Sequence, residues 1–203
     1  MNEDVRTRIY TPANIERLAN AGRGVSRHWF DSSWGDDMHH LSFLDLIEFL
    51  VVWRLRQHGF SYRLIREIAT NTQNLLHVER PLVTAQFQLS GKDIFIQLGT
   101  DLVEVGRRRG QAAWTDVLSP FLTTLDYTEG IATAWWPLGK DHRVKVAPNI
   151  GFGFPVVAGS GVRTEIIRER FAAGDSPEMI AEDYGLDVKA VEDALRFELR
   201  DSA

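Results

Sequence analysis

Arg23, Arg27 and His28 lie close together in a stretch, Gly22 to Phe30, that holds no carboxylate. Side chains of this kind bond phosphate oxygens, and such bonds set affinity and position rather than sequence choice. Arg63 and Arg66, further along the chain, can add to them. Arg107-Arg108-Arg109 is the densest positive cluster. It reads as a solvated turn, a phosphate site or a mate for a carboxylate-rich pocket on a partner. The loop Trp34-Gly35-Asp36-Asp37-Met38-His39-His40 sets carboxylates beside imidazoles, the ligand types of a divalent metal site. Adjacent histidines rarely converge on one ion without a distant ligand, so the expectation is no metal and no cofactor.

Enzyme chemistry finds little support. The chain has no P-loop, dinucleotide fingerprint, GxSxG elbow or HExxH. It has no cysteine, which excludes disulfides, thiolate zinc sites and cysteine nucleophiles. Gly151, Gly153, Gly159 and Gly161 are spaced loosely like a phosphate loop, but no Lys-Ser/Thr follows, and a turn is the better reading. The expectation is a protein that is not an enzyme.

These residues must be held by elements that the punctuation marks out. Thr11 caps a helix with Pro12 in its first turn and Ile15, Leu18 and Ala19 inward; Gly22-Arg23-Gly24 breaks it. Residues 25–30 then suggest a short helix anchored by Trp29. The pair reads as a helix-turn-helix or as a solvated hairpin. Ser42 and Asp45 have capping-box spacing ahead of the longest helical pattern, with Leu44, Ile47, Val51 and Leu55 on one stripe. Gly59 ends it, and Ser61 caps a further helix carrying Leu64, Ile65, Ile68 and Ala69.

Pro81 changes the periodicity. Phe87 to Gln97 predicts a hairpin, Val103 to Val105 a strand, and Ala112 to Leu125 a helix. Ile131 to Pro137 and Val144 to Val146 predict strands, with Trp135-Trp136 as core and packing edge. The last quarter predicts three helices: one with Ile167 and Phe171 inward, stopping at Gly174, and one capped by Ser176 with Ile180, Ala181 and Tyr184. Asp187 caps the last, with Val188, Val191, Leu195 and Leu199 on one face.

At 203 residues, 44% hydrophobic and 25% charged, the composition is that of an ordinary globular protein. The net charge is −5, and its excess lies at one end: residues 150–203 hold six basic and eleven acidic residues, while residues 1–80 hold ten of each. A helix set among phosphates is expected to be basic, so the C-terminal helices suit protein binding or dimerisation better than DNA. The N-terminus lacks the apolar stretch of a signal peptide, and the longest comparable run is far below the ~20 apolar residues that span a bilayer. The expected compartment is the cytoplasm, with no membrane association.

Two stretches resemble known families. Gly153-x-Pro155-x-x-x-Gly159-Ser160-Gly161-Val162, then Ala173-Gly174-Asp175-Ser176 and Ile180 to Tyr184, resembles the bacterial domain of unknown function 433. Members often accompany PIN-domain ribonuclease toxins and look like their antitoxins. Leu55-x-x-x-Gly59-Phe60-Ser61-Tyr62-x-x-Ile65 resembles the second half of a MerR-type DNA-binding domain, with Tyr10 to Trp29 in the place of its first two helices. On that alignment the loop around His39 is the wing. Where the MerR pattern has a compact turn of Gly, an aliphatic residue and Ser, this chain has Asn20-Ala21-Gly22-Arg23-Gly24.

The whole resembles a VapB-like antitoxin: a mainly helical α+β chain with three parts. These are a MerR-like winged helix-turn-helix (1–80), a small mixed α/β segment (81–147) and a C-terminal three-helix helix-turn-helix module (148–203). The resemblance implies a type II antitoxin that binds its operator double-stranded DNA as an autorepressor, through Arg23, Arg27, His28, Arg63 and Arg66. It also implies neutralisation of a PIN-domain ribonuclease toxin, with Arg107, Arg108, Arg109, Arg196 and Arg200 as contact residues. A homodimer is expected, since one short reading helix offers little specificity and a palindrome doubles the contacts. Two alternatives stay open: a one-component DNA-binding regulator and a pure interaction protein that does not bind DNA.

Overall fold

A computed structural model describes residues 3–30, 40–85, 87, 112 and 114–200. The expected hairpin from Phe87 to Gln97, the strand at Val103 to Val105, the Arg107–Arg109 cluster and the loop from Trp34 to His39 fall largely or wholly outside them. The architecture is mixed α+β and mostly helical, with three short two-stranded antiparallel sheets among the described residues.

The first helical pair forms as the punctuation requires. Helix α1 (Pro12–Leu18) starts at a capping box, in which the Thr11 hydroxyl accepts from Asn14 N and Asn14 Oδ1 accepts from Thr11 N at 2.9 Å. After it the chain turns through Asn20 and Gly24, both at positive φ, and enters α2 (Arg27–Phe30). The altered turn has its own support. The buried Glu16 carboxylate accepts from Ser26 N at 2.9 Å and Ser26 Oγ at 2.6 Å. Two donors offset much of the cost of taking that carboxylate out of water.

Helix α3 (Phe43–Gln57) is the centre of the molecule. Its expected stripe of Leu44, Ile47, Val51 and Leu55 is buried, but so are Phe43, Leu46, Phe49, Leu50 and Val52. A helix apolar all round must be wrapped on every side. Helix α4 (Tyr62–Leu76) covers one side with Leu64, Ile65 and Ile68, while Trp114, Leu118, Phe121, Leu122 and Trp135 belong to the same buried cluster. That cluster runs from Val5 to Val146 and takes in Phe197 from the last helix.

Polar groups lock the start of α3. The Ser42 N–H and hydroxyl both donate to Asp45 at 2.7 Å. The Arg80 guanidinium bonds Asp45 and also Glu48, whose other oxygen accepts from Trp29 Nε1 at 3.0 Å. Burial opposes the charge on Arg80, yet Glu48 and Asp45 outweigh it and raise its pKa above the ordinary value. Arg80→Ala leaves the buried Asp45 and the half-buried Glu48 without their cation, and is expected to destabilise the protein by about 2 kcal/mol in urea unfolding.

The helix expected from Ala112 to Leu125 forms as a π-helical turn (Trp114–Leu118) that runs on into a short helix, α5 (Ser119–Leu122), and stops short of Leu125. Leu125 instead opens a strand, Leu125–Thr128, which pairs antiparallel with Ile131–Trp135. Glu129 and Gly130, at φ +50° and +80°, make the two-residue turn between them. Positive φ at both central residues matches the right-handed twist of the strands.

The C-terminal quarter begins at a third sheet, in which Val144–Lys145 pairs with Val156–Val157. Between those strands Gly151, Phe152 and Gly153 are all left-handed, and Phe152 is 85% exposed. Three helices follow: α6 (Thr164–Ala172), α7 (Pro177–Tyr184) and α8 (Val188–Leu199). Ser176 and Asp187 cap the last two as expected. Ile167, Ile180, Ala181, Ala190, Val191, Ala194 and Leu195 form their own apolar cluster. Phe171 and Leu199 correct the expectation: they are 41% and 44% exposed. Phe197 and Asp193 of α8 turn inward instead.

Asp193 clasps α8 to the loop ahead of the third sheet. Its carboxylate bonds His142 Nδ1 at 2.8 Å and accepts from Arg143 N at 3.0 Å. Desolvation pushes its pKa up, but the Arg143 amide, His142 and Arg196 prevail and hold it below the ordinary 3.8. A depressed folded-state value stabilises the fold above the unfolded value, and that stabilisation is lost as pH falls through the folded one. The Asp193 contribution is therefore expected to be complete at neutral pH and to fade below about pH 4. Asp193→Asn is expected to cost about 1–2 kcal/mol at pH 7 and to flatten the acid limb of the stability curve.

Candidate nucleic-acid interface

The contacts of Tyr62 and Arg66 bring the first turns of α4 against α2. The Tyr62 ring lies 5.8 Å from that of His28, and its hydroxyl points to Val25 O at 3.5 Å. Burial raises the Tyr62 pKa against the pull of Arg56 and Arg66, so the hydroxyl stays a neutral donor. Arg66 donates to the carbonyls of His28 and Trp29 and lies over the Trp29 ring at 5.3 Å. It closes the last turn of α2, where helix carbonyls lack intrahelical donors. Arg66 is thus half-buried and ties α4 to the end of α2.

Arg23, Arg27, His28 and Arg63 are exposed, and the His28–Tyr62 contact sets His28 of α2 beside the first turn of α4, which carries Arg63. The sequence reading missed Arg56. Its guanidinium lies 4.6 Å from the centre of the Tyr62 ring and donates to Phe60 O at 2.6 Å, which fixes a further cation beside the group. The signal for it was present: residues 20–30 and 54–66 contain arginines and histidines but no carboxylate. The balanced total over residues 1–80 concealed that segregation. Arg54 is different, lying 4.0 Å over the Phe121 ring, with its pKa lowered to about 10 by burial and then by Arg200.

Of the residues implied as partner contacts, Arg196 projects from α8 with its side chain 62% exposed and only a 3.8 Å approach to Asp193. Arg200 is turned inward. It donates to Leu18 O at 2.7 Å and lies 3.8 Å over the Phe197 ring, so it fastens the end of the chain to α1. Other bonds bridge the same two regions. The Tyr10 hydroxyl donates to Gly153 O at 2.5 Å, and its ring meets Phe154 edge-on at 6.1 Å.

Residues 144–197 match the family described as "Protein of unknown function (DUF433)". The C-terminal module is of that kind. The fold as a whole is similar to the X-ray crystal structure of Rv2018 from Mycobacterium tuberculosis, with a TM-score of 0.77 and 20% sequence identity. That match covers 93% of this chain and 98% of the other. No curated protein matches. Among the described residues, no helix is long and apolar enough to cross a membrane.

Proposed function

We propose that this chain is a cytoplasmic type II antitoxin, an operator-binding autorepressor that also neutralises a PIN-domain ribonuclease toxin. The observation that carries the DNA half is that Arg23, Arg27, His28 and Arg63 are exposed in two stretches, 20–30 and 54–66, that hold no carboxylate and meet at the His28–Tyr62 contact. Arg66 bonds the last carbonyls of α2, and Arg56 lies over the Tyr62 ring. The MerR-like reading of residues 1–80 supports the same assignment. The acidic C-terminal quarter, with its match over residues 144–197, supports the partner half. A homodimer on a palindromic operator supplies the specificity that one four-residue α2 lacks.

One observation favours a second reading, a one-component regulator that senses a small molecule. A pocket of about 380 Å³ opens between Leu44, Val78, Val83 and Ile131, with Arg6 and Glu129 among its lining residues. That volume and apolar lining suit a small ligand.

Co-expression with the adjacent gene, followed by capture through a tag on this protein, separates the readings. The expected result is recovery of a small nuclease that is toxic when expressed alone. Recovery of this protein alone, beside a harmless neighbour, moves the assignment to the free-standing regulator.

A further inference from the structure

A cleft of about 690 Å³ lies at the junction of α1 with α6 and α8, and nothing in the DNA-binding assignment uses it. Its walls carry Phe171 and Leu199, the two side chains that helical spacing would send inward and that the fold leaves open. Arg17, Arg163 and Arg168 also line it, with side chains 40%, 36% and 41% exposed.

The two carboxylates among the lining residues are already engaged. Glu198 is nearly buried, and its Oε1 accepts from the Thr164 hydroxyl at 2.5 Å. Its Oε2 lies 3.8 Å from both Arg17 Nη1 and Arg168 Nε, too far for hydrogen bonds. Glu165 pairs with Arg163 at 3.1 Å. Arg17 and Arg168 therefore share one carboxylate at ion-pair distance without hydrogen-bonding it, and the three arginines outnumber the two carboxylates beside an open apolar wall.

We infer that this cleft receives a segment of the toxin in which an acidic side chain adjoins a bulky apolar one. The assignment rests on the partner half of the proposed function. The incoming carboxylate bonds the exposed guanidinium groups of Arg17 and Arg168, where charge-assisted bonds are strongest once water is excluded, and the apolar neighbour covers Phe171 and Leu199. A nucleic-acid backbone suits the cleft less well, because the apolar wall of Phe171 and Leu199 has no partner in it.

The test uses the full chain co-expressed with the adjacent gene product, and compares the wild type with Arg168→Glu, Phe171→Ser and a control at the other end of α8, Lys189→Glu, where the side chain is exposed. Calorimetry on the purified pair is expected to show at least about 30-fold weaker binding for Arg168→Glu and for Phe171→Ser, and less than about threefold change for Lys189→Glu. Thermal melts and operator shifts of all three should match the wild type, since the substituted positions are exposed. Unchanged partner affinity in both cleft variants overturns the cleft assignment and leaves the antitoxin reading standing. Loss of operator binding alone in Arg168→Glu assigns the cleft to DNA and overturns it too. A wild type that captures no partner overturns the antitoxin reading itself, and the cleft assignment with it.

Discussion

Replacing Arg27 and His28 together by Ala is expected to weaken operator binding by roughly 10- to 100-fold near physiological salt, while capture of the partner stays unchanged. Both side chains are exposed, and neither is needed to hold α2, whose last carbonyls are bonded by Arg66. The loss should fall on all DNA sequences alike, because phosphate contacts position the protein without reading bases. Removing the Arg27 cation should lower the slope of log K against log salt by about one, and adding Arg63→Ala should lower it by about one more. Mobility shifts over a salt series measure both quantities. Equal loss of DNA and partner binding would mean that the variant damages the fold, and would count against a two-part protein.

The largest effect on stability is expected at Gly153. Its φ is +79°, and a Cβ there would come within 2.6 Å of the Tyr10 hydroxyl and would also strike the end of Ile9. Gly153→Ala thus combines a left-handed backbone cost of about 1–2 kcal/mol with overpacking of about 1–3 kcal/mol. It also displaces the hydroxyl that bonds Gly153 O. A total near 3 kcal/mol should lower the melting temperature by roughly 10 °C in a chain of this size. Gly161→Ala is the comparison. Gly161 has φ +74° with nothing within 4 Å of a Cβ, so only the backbone cost of about 1–2 kcal/mol applies.

Capping chemistry was the most legible part of the sequence, because each cap is a local bargain between neighbours. Thr11, Ser42, Ser61, Ser176 and Asp187 all cap where residue type and spacing place them. Helix faces were legible only in part. Phe171 and Leu199 have the right spacing to point inward, but whether a face is covered depends on a neighbour that periodicity does not name. The turn at Glu129-Gly130 was missed because Glu is rarely left-handed and masks the hairpin signal that Gly130 provides. The internal roles of Arg66 and Arg200 were illegible for another reason: their acceptors, His28 O and Leu18 O, are backbone carbonyls far off in the chain. A surface cation and a structural one look alike until the acceptor is known.

The contacts between the two ends of the chain have a thermodynamic consequence. Tyr10 bonds Gly153, Arg200 bonds Leu18, and Phe197 lies in the cluster built on α3. Unfolding of the acidic C-terminal end therefore strips the N-terminal end of buried neighbours, and the two share one cooperative free energy. A molecule that binds only the folded C-terminal helices lowers the population of chains whose proposed DNA-binding face has melted, by mass action and without touching that face. Where the protein is marginally stable, occupancy at one end sets the number of working copies at the other.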